Sequence, residues 1–141
     1  EFRRVLFRSS FWQQAITDGI IRSNENRGAY RAQMVNSHSG KILRIDPNTG
    51  DGIPSNPFYL QGSPRAPRSR VWAMGFRNPF KITVKPNTGS TDRTAANPGE
   101  IYEGEVGNGT SEELNIITAP GQNCGWPIFE GIASTMPSNV N

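Results

Sequence analysis

The chain has 141 residues, 34% of them hydrophobic and 9% aromatic, which is enough for one domain with a modest core. Its net charge of +3 is a weak basic bias, and a single Cys excludes an internal disulfide and a multi-Cys zinc site. With 15 Gly and 11 Pro, turns and short strands are favoured over long helices, and no apolar run approaches the ~18 residues of a membrane span.

Residues 1–9 read as a translated sequencing adapter, which places the domain at residues 10–141. That stretch holds three Arg and one Glu. Without it the chain carries 12 basic and 11 acidic residues, a net charge of +1, and the electrostatic footprint of a nucleic-acid binder is gone. The adapter also implies a reading frame that begins upstream, so a signal peptide would be hidden.

Phe11 to Thr17 is the one expected helix, with Trp12, Ala15 and Ile16 on one face. Residues 18–40 are polar and irregular. Lys41-Ile42-Leu43-Arg44-Ile45 is an expected strand with Leu43 and Ile45 on one face and Arg44 on the other. Asp46-Pro47-Asn48-Thr49-Gly50 is a tight turn, in which Pro fixes φ and Gly accepts the left-handed position.

After a Pro- and Ser-rich loop over residues 51–69, Val71-Trp72-Ala73-Met74 is a buried strand. Phe80-Lys81-Ile82-Thr83-Val84-Lys85 alternates, with Phe80, Ile82 and Val84 expected inward. A second Pro86-Asn87-Thr88-Gly89 turn follows, then a polar loop over residues 90–99 and strands at Ile101–Val106 and Glu113–Ile117. Gly121 to Pro127 forms a rigid corner, and the tail after Ser134 is polar. The fold class is therefore all-β. The two Pro-Asn-Thr-Gly turns begin 39 residues apart, close to the ~40–45 residues of a four-stranded propeller blade, although unrelated turns explain them equally well.

In Gly75-Phe76-Arg77-Asn78-Pro79 the Pro ends a ladder and lets Arg77 project from a strand terminus. Either Arg77 is simply solvated there, or its guanidinium fork meets a polycarboxylate. Glu105-Val106-Gly107-Asn108-Gly109, followed by Glu112-Glu113, is either a solvated acidic turn or an oxygen-rich site for a hard cation. His38 reads as an ordinary loop residue and Cys124 as a buried, inert thiol. Trp72, Trp126 and Phe129 read as core.

Five segments, in order, resemble the glucose/sorbosone dehydrogenase family. Ser39-Gly40-Lys41-Ile42-Leu43-Arg44-Ile45-Asp46-Pro47 is similar to its "GKILRI" strand. Ile53-Pro54-Ser55-Asn56-Pro57-Phe58 is similar to its "IPxDNPF" loop, one residue shorter here. Phe76-Arg77-Asn78-Pro79 resembles its "RNP" segment, Gly107 to Asn115 its "GxxxxEELN" stretch, and Gly121 to Pro127 its "GxNYGWP" corner. The resemblance spans about residues 11–131.

It implies a six-bladed β-propeller, with this chain a fragment of about two blades, and a soluble enzyme that oxidises a sugar or polyol hydroxyl with pyrroloquinoline quinone (PQQ). The implied cofactors are PQQ and Ca²⁺, the partners a sugar or polyol and an electron acceptor of unspecified type, and the location periplasmic or extracellular. Arg77 and Asn78 match the quinone-contacting pair. Gly107 and Asn108 match the two positions whose backbone carbonyls hold Ca²⁺, with Asn108 in place of a Pro, and Cys124 replaces an aromatic residue. Nothing here matches the family's catalytic His, so the fragment is expected to be inactive by itself. The alternative is a non-catalytic propeller that binds glycans or proteins.

Overall fold

A computed structural model describes Thr17 and residues 28–107, 111–131, 133 and 134. The helix expected at Phe11 to Thr17 lies outside the described residues apart from Thr17 itself. The all-β reading holds. Strands β1 (Lys41–Leu43), β2 (Val71–Met74), β3 (Pro79–Val84), β4 (Ile101–Glu105), β5 (Glu113–Ile117), β6 (Phe129–Glu130) and β7 (Ala133–Ser134) form three antiparallel sheets, in the orders β1-β2, β3-β4-β5 and β6-β7. A 3-10 helix (Gly28–Gln33) precedes β1, and a four-residue helix, α1 (Pro67–Arg70), with Pro at its first turn leads into β2.

Strand β2 is buried at every position, as its run of apolar residues requires. It pairs with β1 on one edge. On the other edge the segment 121–124 runs parallel to it. Gly121 donates its N–H to the Trp72 carbonyl, Met74 to that of Gln122, and Cys124 to that of Met74, all within 2.8–2.9 Å. The core that results joins Ile42, Trp72, Ala73 and Phe76 to Ile101 and Ile117, with Cys124 packed against it. The inward residues of β4 and β5 meet in register: Ile101 faces Ile117, Glu103 faces Asn115 and Glu105 faces Glu113.

Two expectations are corrected. Phe80, Ile82 and Val84 are not inward: they are 68%, 55% and 48% exposed. Ile82 and Val84 do share a face with their partners Glu103 and Ile101. However, β3 is the outer strand of its sheet, and the core that covers β4 and β5 does not reach it. Phe80 sits at the register shift between Pro79 and Lys81.

The two Pro-Asn-Thr-Gly turns also close differently. In the first, Gly50 takes φ +74° and donates to the Asp46 carbonyl at 2.8 Å. In the second the left-handed residue is Asn87, at φ +62°, and the Thr88 hydroxyl bonds the Lys85 carbonyl at 2.7 Å. Asn tolerates that conformation better than most residues, so the same four letters support two geometries.

Charged side chains organise the rest. Arg44 lies 5.4 Å over the Trp72 ring, and its guanidinium donates to Ser55 Oγ, Asn56 Oδ1 and the carbonyls of Arg93 and Ala95. This ties the polar loop of residues 90–99 to the loop after β1. Lys41, only 9% exposed, donates its ammonium to the carbonyls of Arg31, Ala32 and Ser39 at 3.0, 2.6 and 2.9 Å. It thereby fixes the end of the 3-10 helix against β1. Burial lowers its pKa to about 8. Lys41→Met keeps the stem and removes three donors, so urea unfolding should show a loss of roughly 1–3 kcal/mol from the lost charge-assisted hydrogen bonds. An unchanged unfolding midpoint would remove Lys41 from this role.

Candidate functional site

The site grows from the end of β2. Gly75 takes φ +81°, and a Cβ there would lie 2.1 Å from Asn123 Oδ1, so only Gly lets the strand end touch the 121–127 corner. Phe76, 1% exposed, anchors the next residue in the core. The chain then bends. The N–H groups of Arg77 and Asn78 both donate to one oxygen, Glu105 Oε1, the first at 3.0 Å. Pro79 has no N–H to satisfy. One carboxylate thus accounts for the donors of the whole bend before β3 begins.

The Arg77 guanidinium donates to the Val106 carbonyl at 2.8 Å and lies 5.6 Å from the centroid of the Trp126 ring. Val106 returns a backbone bond to the Asn78 carbonyl at 3.2 Å. Beside these groups is a shallow cleft lined by Arg77, Trp126 and Phe129 together with Gly107 and the carboxylates Glu105, Glu113 and Glu130. Gly107 is required by close approach: a Cβ would fall 1.8 Å from the Ser111 carbonyl oxygen and 2.8 Å from Glu130 Oε1. Glu113 accepts the Gly131 N–H, which docks the turn after β6 onto β5.

The carboxylates are buried to different extents of satisfaction. Burial raises the pKa of Glu105, while the N–H groups of Asn78 and Arg77 oppose that rise. Glu103 is fully buried. Its Oε2 accepts from Asn115 Nδ2 at 3.1 Å, but its Oε1 has no partner. Burial pushes its pKa up to about 7, reinforced by the negative charges of Glu105 and Glu113. Cys124, half-buried rather than buried as expected, packs against the core, and burial and the charges of Glu103, Glu105 and Glu113 push its pKa up to about 12, which keeps the thiol protonated.

Arg77 and Gly107 therefore come together at one cleft. Asn78 contributes its backbone to the bend and does not line the cleft, and Asn108 lies outside the described residues. His38 is exposed and does not line it either. Trp126 and Phe129 are corrected from core to cleft: Trp126 is half-buried beneath Arg77 and Phe129 is 50% exposed. The Gly125-Trp126-Pro127 corner, with its cis Trp126–Pro127 bond, carries both rings at the cleft. Glu105 as the acceptor for the bend, and Glu130 against Gly107, are not foreseeable from local pattern, because each acts on backbone far away in sequence.

The family described as Glucose / Sorbosone dehydrogenase matches residues 17–136. The chain belongs to the glucose/sorbosone dehydrogenase family. A comparison with curated protein sequences gave no match. Among solved structures, the soluble aldose sugar dehydrogenase from Escherichia coli, in its apo-form, is similar, with 27% identity and a TM-score of 0.52 over 74% of this chain. The chain spans about a quarter of that protein, 26% of its length. The cleft places a guanidinium over an aromatic ring and, at Gly107, an oxygen-rich wall. Among the described residues no cluster of His, Cys, Asp or Glu side chains is arranged to hold a metal.

The buried Glu103 carboxyl yields a pH prediction. Its folded pKa of about 7 lies above the unfolded value near 4.5. Its stabilising protonation is complete below about pH 4.5 and is lost as pH rises through 7. Melting temperature should therefore fall between pH 5 and pH 8, and Glu103→Gln should flatten that slope. An equal slope in wild type and variant would show that another group carries the dependence.

Proposed function

We propose that this chain is part of a PQQ-dependent sugar dehydrogenase that oxidises a sugar or polyol hydroxyl, in which it contributes about two blades of a six-bladed β-propeller. The observation that carries the reading is the family match over residues 17–136. The cleft supports it. The Arg77 guanidinium would hold a quinone carboxylate with paired, charge-assisted hydrogen bonds. The Trp126 ring gives a flat apolar surface beside that cation, and Phe129 extends it. The backbone carbonyls of Gly107 and Asn108 would hold Ca²⁺, and Glu105, Glu113 and Glu130 make the wall negative, which favours a divalent cation. Asn78 acts through the bend that it shares with Arg77.

When bound, the quinone supplies the hydride acceptor, with Ca²⁺ as a Lewis acid. The residues of this chain bind and orient; none of them is assigned as the base, and His38 is outside the cleft. A periplasmic or extracellular location follows from the same family reading.

The test is to reconstitute the full-length protein with PQQ and Ca²⁺ and assay dye-linked oxidation of a panel of sugars and polyols. Turnover is expected, and Arg77→Ala should weaken quinone binding by roughly 10- to 100-fold, the cost of one charge-assisted pair. No quinone uptake and no turnover on the panel would overturn the reading. An Arg77→Ala protein that binds PQQ as tightly as wild type would remove Arg77 from the cradle.

A further inference from the structure

The Trp126 ring can serve as a surface for a ligand only if its backbone is held. Its N–H donates to the Gly75 carbonyl at 3.0 Å. Its carbonyl accepts from Gln33 Nε2 at 2.5 Å, from a residue 93 positions earlier in the chain. Gln33 is also paired with Asn123. Gln33 Nε2 donates to Asn123 Oδ1 at 3.1 Å, and Asn123 Nδ2 donates to Gln33 Oε1 at 2.6 Å.

Backbone groups dictate both amide orientations. The Trp126 carbonyl only accepts, so it must face Gln33 Nε2. The Gly125 N–H only donates, and it meets Asn123 Oδ1 at 3.0 Å. With each orientation set independently, the two amides present complementary edges to each other.

The support behind Gln33 is firm as well. It ends the 3-10 helix whose Arg31 and Ala32 carbonyls are held by the buried Lys41 ammonium, and the Ala32 carbonyl also accepts the Gly75 N–H at 3.1 Å. One short element thus grips the end of β2, from which Arg77 projects, and the corner that carries Trp126.

We infer that the Gln33–Asn123 amide pair is a clamp that sets Trp126 beneath Arg77, making Gln33 a positioning residue for the flat anionic ligand of the cleft. The ligand part of this inference rests on the functional reading above; the clamp does not. Gln33→Met keeps length and removes every hydrogen bond. Gln33→Glu can still accept from Asn123 Nδ2 but cannot donate to the Trp126 carbonyl.

The experiment labels the full-length protein with 5-fluorotryptophan and follows its ¹⁹F resonances, with those of Trp72 and Trp126 assigned by Trp→Phe substitution. Both Gln33 variants should shift or broaden the Trp126 resonance and leave that of Trp72, in the core, where it is in wild type. Affinity for PQQ, titrated by its absorbance, should fall by up to about tenfold, in line with loss of neutral hydrogen bonds. An unmoved Trp126 resonance in both variants overturns the clamp. So does a Trp72 resonance that moves together with it in both, which would make Gln33 a general structural residue. If the Trp126 resonance moves alone while wild type takes up no PQQ, the clamp stands and the functional reading fails.

Discussion

The structure depends on strand β2, which is hydrogen-bonded along both edges and buried at every side chain. Val71 to Met74 pair with β1 on one side and with residues 121–124 on the other, and Phe76 continues the burial beyond the strand. A strand held on both edges fixes the residues next in the chain: Gly75 against Asn123, then Arg77 at the bend. The two segments that resemble family motifs, 75–79 and 121–127, are neighbours because both are bonded to this one strand. Their separation in sequence is bridged by the parallel pairing of Met74 with Asn123.

The second constraint is electrostatic. Glu105 is an inward carboxylate on β4, and it is tolerated because the bend of Arg77 and Asn78 supplies two N–H donors to one of its oxygens. Glu103, two residues earlier on the same face, has a single Asn115 donor and an orphan oxygen. The alternation of β4 therefore puts one well-satisfied and one poorly satisfied carboxylate side by side. Burying such groups costs stability, which core contacts elsewhere must offset. Acidic groups gathered near one Arg give a cleft of mixed sign.

Much of the fold was legible in the sequence, and the remainder fails for physical reasons. Strands β1 to β5 were all expected, β1 and β3 from alternation and β2 from its continuous apolar run, with β1 ending at Leu43, two residues short of the expectation. The bend at Arg77 was legible from Asn78-Pro79, although Pro79 opens β3, paired with Glu105, and does not end a ladder. Burial on β3 was not, since the pattern of Phe80, Ile82 and Val84 specifies a shared face and cannot say whether anything covers it. The 3-10 helix at Gly28–Gln33 has no periodic apolar face; it is held by the Lys41 ammonium, a tertiary contact. Trp126 read as core because large aromatics usually are, yet the corner around it places the ring at the cleft. Glu105, Glu130 and Gln33 act on distant backbone, and no local pattern announces that.

The central claim is that Arg77, Trp126 and Gly107 belong to one cofactor site. The most direct measurement is a crystal structure of the full-length protein grown with PQQ and Ca²⁺. The account predicts a quinone carboxylate within hydrogen-bonding distance of the Arg77 guanidinium, the quinone plane beside Trp126, and a cation on the carbonyls of Gly107 and Asn108. Quinone density remote from Arg77 and Trp126, with no cation at Gly107, would contradict it.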